Sequence, residues 1–144
     1  MERKLKNIYT CYPGGKHKAL TMSYDDGREE DRRLVAIFNK YGIKGTFNLN
    51  YGIQGTCGPN GKVPGIPMTE YKELYKGHEV ACHTYTHPTI ERCPLEQVVS
   101  QVMEDRKGLE KAVGYPVRGM AYPNGSYSED IMKLLPSLGI KYSR

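Results

Sequence analysis

Lys18-Ala19-Leu20-Thr21-Met22-Ser23-Tyr24-Asp25-Asp26-Gly27 is the stretch on which the reading of this chain turns. The segment Lys18 to Tyr24 has the length and apolar content of a short buried strand, and Asp25-Asp26-Gly27 stops it. Arg28 to Tyr41 then reads as a helix, with Leu34, Val35, Ile37 and Phe38 on one face and Gly42 as its C-cap. Gly45 to Asn50 is a second strand. Strand, helix, strand in this order predicts two parallel strands joined by a right-handed crossover.

The alternation continues outward. A long loop carrying Gly52, Gly55, Gly58, Pro59, Gly61, Pro64, Gly65 and Pro67 leads to a short helix, capped by Thr69, running to Lys76 and ended by Gly77. Glu79 to Cys82 is a third strand. Pro94 opens a longer helix to about Val113, striped by Leu95, Val98, Val99, Val102 and Leu109. Val117 to Ala121 is a fourth strand, and Ser128 caps a helix to Leu138 that Pro136 ends early. Gly139 to Tyr142 is a fifth strand. Tyr41-Gly42-Ile43-Lys44 and Leu138-Gly139-Ile140-Lys141 echo one another, each marking a helix that passes into a strand. The class is α/β with about five parallel strands. A closed (β/α)₈ barrel takes about 250 residues, so an open sheet or an incomplete barrel is expected.

The chain has 144 residues, the size of one domain, with 38% hydrophobic and 26% charged residues, a folded rather than a disordered balance. No run of 18 apolar residues occurs, which predicts no membrane span. The start, Met1-Glu2-Arg3-Lys4-Leu5-Lys6, lacks the apolar run of a secretion signal, so a cytoplasmic location is expected. Residues 1–18 hold five of the 21 basic and one of the 16 acidic residues, and so carry four of the five units of excess charge. Residues 1–17 are read as a basic arm and 18–144 as the domain. With the domain itself nearly neutral, no nucleic-acid groove is expected. Cys11, Cys57, Cys82 and Cys93 show no CxxC spacing and are expected to be free thiols.

Three stretches carry chemistry. His83-Thr84-Tyr85-Thr86-His87-Pro88 holds two imidazoles four apart, a spacing that suits Zn²⁺ and related metals but also arises by chance. Pro88 disfavours a helix at His87, so the pair is placed on a strand end and the loop after it. Ser23-Tyr24-Asp25-Asp26-Gly27 is either a plain turn or a pair of carboxylates divided between a cation and the space beside it, one as ligand and one as base. Arg118-Gly119-Met120-Ala121-Tyr122-Pro123-Asn124-Gly125 is either a strand ending in a turn, or an arginine that orients a carboxylate followed by backbone N–H groups able to meet an oxyanion. All three fall at the C-terminal ends of predicted parallel strands, the edge where α/β folds collect their active sites.

Together these stretches resemble the NodB-type polysaccharide deacetylases, carbohydrate esterase family 4. That family's T-F-D-D-G motif is similar to Ser23-Tyr24-Asp25-Asp26-Gly27, and its H-[ST]-x-x-H motif is met in full by His83-Thr84-Tyr85-Thr86-His87. Its third motif, an arginine before a Pro-Tyr-Gly loop, is similar to Arg118 with Pro123-Asn124-Gly125. Here the arginine stands further from the loop, and Asn124 or Tyr122 takes the place of the tyrosine. The resemblance covers residues 18–144. It implies an incomplete, distorted (β/α) barrel that removes acetyl groups from N-acetylated, or O-acetylated, sugars. Asp26, His83 and His87 would hold a divalent metal, Zn²⁺ first, with Co²⁺, Ni²⁺ or Mn²⁺ as alternatives. Asp25 would be the base, Arg118 its support, and the N–H of Tyr122 or Asn124 an oxyanion donor.

The resemblance also implies a late histidine as general acid. The four histidines are His17, His78, His83 and His87, so the chain is read as a truncated form that binds metal and turns over little substrate. The alternatives are a metal-dependent C–N hydrolase for a small amide and a non-catalytic carbohydrate-binding remnant. The strand edges of an unfinished barrel also invite a homodimer.

Overall fold

The structure, a computed structural model, describes residues 9–57 and 63–144. Five parallel strands form its sheet: β1 (Ser23–Asp25), β2 (Thr46–Leu49), β5 (Glu79–Cys82), β6 (Gly119–Met120) and β7 (Tyr142–Ser143), neighbours in that order. A separate antiparallel ribbon pairs β3 (Thr56–Cys57) with β4 (Val63–Pro64). Helices α1 (Asp31–Tyr41), α2 (Met68–Leu74), α3 (Leu95–Val113) and α4 (Glu129–Leu134) lie in the connections. Strand order in the sheet thus follows chain order, the winding of a barrel rather than of a doubly wound sheet. Laid flat, five strands would hold β1 and β7 about 19 Å apart. Yet the Arg144 guanidinium, just past β7, bonds Ser23 Oγ at 2.8 Å and Asp25 Oδ1 at 2.6 Å on β1. The sheet is curled into a partial barrel of the kind expected.

The strands carry the core because parallel strands are covered on both faces. Phe47, Leu49, Val80, Ala81, Cys82 and Met120 are all but inaccessible. From α3, Val98, Val102, Leu109 and Val113 pack onto them, and α1 adds Val35 and Phe38. Inside the curl, a cavity of about 530 Å³ is bounded by Leu20, Met22, Thr46, His78, Tyr142 and Arg144. The sequence echo has a structural cause. Gly42 and Gly139 both adopt left-handed φ, of 67° and 81°, and the next residues close the same reversal through Ile43 N–H to Phe38 O and Ile140 N–H to Leu135 O.

Several boundaries differ from those expected. The first strand begins at Ser23, not Lys18, because β1 is an edge strand whose pairing with β2 starts at Ser23 opposite Thr46. Leu20 is left 83% exposed. The fifth strand is Tyr142–Ser143, since Ile140 is still closing the helix reversal. Pro67, not Thr69, precedes α2. Leu95 and Ile37 face solvent, so both apolar stripes are narrower than predicted. The Gly/Pro loop contains the β3–β4 ribbon and a 3₁₀ turn at Tyr51–Ile53. Residues 1–8 of the basic arm, and Gly58, Pro59 and Gly61 of this loop, lie outside the described residues. Cys11, Cys82 and Cys93 are free. Among the described residues no helix is long and apolar enough to cross a membrane.

Two positions test this packing. Gly108 lies in the middle of α3 with the Tyr51 ring laid against its backbone, and a Cβ there would overlap the ring. Alanine would add about 1 kcal/mol of helix propensity, but overpacking at a fixed ring costs more, typically 1–3 kcal/mol. Gly108→Ala is therefore expected to lower stability in urea denaturation. Asp31, buried at the start of α1, accepts a 2.8 Å bond from Tyr75 Oη. Burial pushes its carboxyl up to about 6 from 3.8, the Tyr75 bond only partly opposing. The folded chain thus holds this proton more tightly than the unfolded one, and stability falls as pH rises from about 4 to about 6. Asp31→Asn is expected to raise Tm by a few degrees at neutral pH and by less at pH 4.

Candidate metal centre

The site is assembled at the C-terminal ends of the strands. Asp25 is the last residue of β1, and at Asp26 the backbone turns to φ 76°, followed by Gly27 at 62°. Two successive left-handed residues swing the chain so that neighbouring carboxylates diverge. The bend therefore starts at Asp26, one residue before Gly27. The Asp26 N–H is held by Asn48 O at 3.0 Å, which anchors the bend to β2.

His83 follows β5 directly and is 2% exposed. Its Nδ1 lies 2.9 Å from the carbonyl of Ala121. A carbonyl only accepts, so Nδ1 carries the proton and Nε2 presents its lone pair to the site. Burial pulls the imidazole below its ordinary value, favouring the neutral form a metal needs. His87 lies on the loop at φ 58°, left-handed rather than extended, and its ring meets that of His83 edge-on at 4.8 Å.

Asp26 Oδ1 stands 3.6 Å from His83 Nε2 and 3.4 Å from His87 Nε2. Neither is a hydrogen bond. Ligands of a tetrahedral ion with bonds of 2.0–2.2 Å are separated by about 3.4 Å, so this spacing fits three donors around one centre. The three donor atoms lie within 4.8 Å of one another. Two imidazoles and a carboxylate are a donor set suited to a divalent transition metal. Among the described residues, Asp26, His83 and His87 are the group so arranged.

Beside them, Asp25 Oδ1 accepts from Asn48 Nδ2 at 2.7 Å and from Arg144 Nη2 at 2.6 Å. Arg144 also spans to Ser23 Oγ, so its guanidinium is fixed by two contacts on β1. The arginine expected there was Arg118. It precedes β6, and its Nη1 bonds the Gly139 carbonyl at 3.4 Å at the far end of the strands. Arg118 stands near the loop in sequence, but a strand separates it from the rim. Arg144 ends the adjacent strand and faces β1 across the curl. No local pattern marks it.

The Tyr122–Gly125 loop also departs from expectation. The Tyr122 N–H donates to Arg144 O at 2.9 Å in the β6–β7 ladder, and its hydroxyl meets Ser143 Oγ at 2.7 Å, so this backbone donor is already engaged. Pro123–Gly125 form a 3₁₀ turn in which Asn124 has φ 58°, its side chain donating to Thr89 Oγ1. His78 sits at the opposite end of the sheet. Its Nδ1 accepts the Gly45 N–H, so Nε2 donates to Asn39 Oδ1, an arrangement of a buried neutral ring. His17 is exposed on the arm, 3.8 Å from Cys11 Sγ.

A further residue went unnoticed in the sequence. Asp105 occupies a core position of α3, four residues before Leu109, and is fully buried. It accepts the N–H of Tyr51 at 2.6 Å and that of His83 at 3.0 Å. Burial pushes its carboxyl up to about 7. An acid in register with Val98, Val102, Leu109 and Val113 was the signal that would have found it.

Residues 12–143 match the family model described as polysaccharide deacetylase. The chain is 32% identical over 126 residues to the chitooligosaccharide deacetylase of Bradyrhizobium sp. (strain ANU 289), covering 85% of this chain and 53% of that protein. It is 22% identical over 117 residues to the peptidoglycan-N-acetylglucosamine deacetylase PgdA of Listeria monocytogenes, covering 80% and 23%. Among solved structures, the Streptococcus pyogenes deacetylase PplD in complex with acetate superimposes with a TM-score of 0.78 at 22% identity, over 90% of this chain and 55% of that one. The chain thus spans about half, or less, of the length of these relatives. With the matched region taking in nearly every described residue, the chain belongs to the polysaccharide deacetylase family.

Proposed function

We propose that this chain carries the metal-binding and base-bearing part of a deacetylase for N-acetylated amino sugars, of the chitooligosaccharide or peptidoglycan kind named for its relatives. The observation that carries the reading is the convergence of Asp26, His83 and His87, with Asp25 held separately beside them. Asp26, His83 and His87 would hold the ion, Zn²⁺ first. A divalent metal, when bound, lowers the pKa of water to about 7 and polarises a carbonyl oxygen.

The residues of the chain supply the remainder. Asp25 accepts the proton of the attacking water. Asn48 and Arg144 aim its Oδ1, so the base does not swing onto the cation as a fourth ligand. His83, tied through Nδ1 to Ala121, stays neutral and points one way. The Gly125 N–H donates to Tyr122 O at 3.1 Å, so at the turn after β6 it is the Asn124 N–H that would meet an acetyl oxygen. Pro123 is buried and fixes that turn.

An amide nitrogen leaves only when protonated. None of the four histidines is placed to deliver that proton. Two face Asp26, His78 is engaged at the opposite end, and His17 lies on the exposed arm. The second reading is a non-catalytic carbohydrate-binding remnant, which would bind sugar and release no acetate. The two readings separate by acetate release from N-acetylated oligosaccharide.

The expected result by metal analysis is about one ion per chain, retained in Asp25→Asn and lost in His83→Ala. Acetate release is expected to be slow and to fall by about 10²–10⁴ in Asp25→Asn. Release by Asp25→Asn at the parent rate would overturn its role as base. Sugar binding by both chains, with acetate from neither, would establish the second reading. Arg144→Ala should keep the ion and slow release several-fold, since a partly exposed ion pair contributes modestly.

A further inference from the structure

Asp105 is buried among the valines and leucine that α3 presents to the sheet. A carboxyl group there is unfavourable unless its oxygens are used. They are. Oδ1 accepts from Tyr51 N–H and Oδ2 from His83 N–H, a donor it shares with Leu49 O. From the other side, the Asn50 amide donates to the carbonyls of His83 at 2.5 Å and of Thr84 at 2.7 Å. Asn50 is itself 2% exposed. His83 is therefore gripped through its N–H from one side, and His83 and Thr84 through their carbonyls from the other.

What this grip maintains is a backbone the chain would not choose. Thr84 is β-branched and sits at φ 66°, a conformation that costs of order 1–3 kcal/mol. One turn earlier on α3, Gln101 holds the following residues, through its carbonyl to Tyr85 N–H and its side chain to Thr86. A leucine at position 105 would continue the apolar stripe and bury more hydrocarbon, so core stability alone does not call for an acid.

We propose that Asp105, opposed by Asn50, is a positioning residue that sets the backbone at His83 and Thr84 so that both imidazoles reach one cation with Asp26. The inference rests on the metal-site reading above. The clamp acts on the turn rather than on the ion. Outer-shell partners of metal ligands typically contribute 10–100-fold in affinity.

The test is a Co²⁺ titration near neutral pH, followed by visible absorption, of the full chain and its Asp105→Asn, Asn50→Ala and His83→Ala variants. Melts of each chain in EDTA establish that the metal-free fold persists at the assay temperature. The parent is expected to bind about one ion and His83→Ala none. Asp105→Asn and Asn50→Ala should bind roughly tenfold or more weakly, with a shifted absorption band that reports altered ligand geometry. A folded variant of either residue with parental affinity and band overturns the clamp while leaving the metal site intact. Should Asp105→Asn fail to fold, Asn50→Ala decides by the same criterion. A parent chain that binds no Co²⁺ overturns the metal-site reading, and the clamp with it.

Discussion

Because all five strands of the sheet run in one direction, every segment leaving a strand by its C-terminal end emerges at the same rim. Asp26 and His83 are 57 positions apart, yet each is the first residue past its own strand. The register of β1 on β2 and of β2 on β5 sets both heights along the rim. An antiparallel neighbour would send one of them to the opposite end. The donor set thus depends on parallel pairing first and on local chemistry second.

At the rim, the backbone does what side-chain rotamers alone could not. Asp26, Thr84, His87 and Asn124 are the non-glycine residues with positive φ among the described residues, and all four belong to the candidate site or adjoin its ligands. Such strain persists only where surroundings over-determine it. Here the surroundings are identifiable: Asn48 O beneath Asp26, Asp105 and Asn50 around Thr84, and Thr89 against Asn124. Asn48 on β2 and Asp105 on α3 thus hold Asp26 and the turn at Thr84 from rigid elements. Neutral His83, fixed by Ala121, then needs no proton loss before it can act as a ligand.

The curl of the sheet adds what adjacency in the chain cannot. Asp25 on β1 and Arg144 just past β7 are 119 positions apart at opposite edges of the sheet, yet they are joined at 2.6 Å. Pairing of β7 with its neighbour β6, not the curl, engages the Tyr122 N–H through Arg144 O, which removes it as an oxyanion donor. The placement of β7, paired with β6 and curled toward β1, accounts for both departures from the sequence-based expectations at this rim.

Much of this was legible in the residues themselves. The alternation of strands and helices, the two glycine reversals at Gly42 and Gly139, and the Asp25-Asp26 and His83–His87 pairs are local patterns, because caps, turns and short-range ligand spacing are settled within a few residues. Asp105 was half legible, as an acid in an apolar stripe whose partners no pattern names. Arg144 was not legible at all. A side chain that acts across the curl is chosen by where two distant strands end. Chain order alone therefore determined which residue types stand at the strand ends. Only the three-dimensional fold decided which arginine meets the carboxylate and which backbone donors are already taken, since both follow from pairing and closure between segments that lie far apart in the chain.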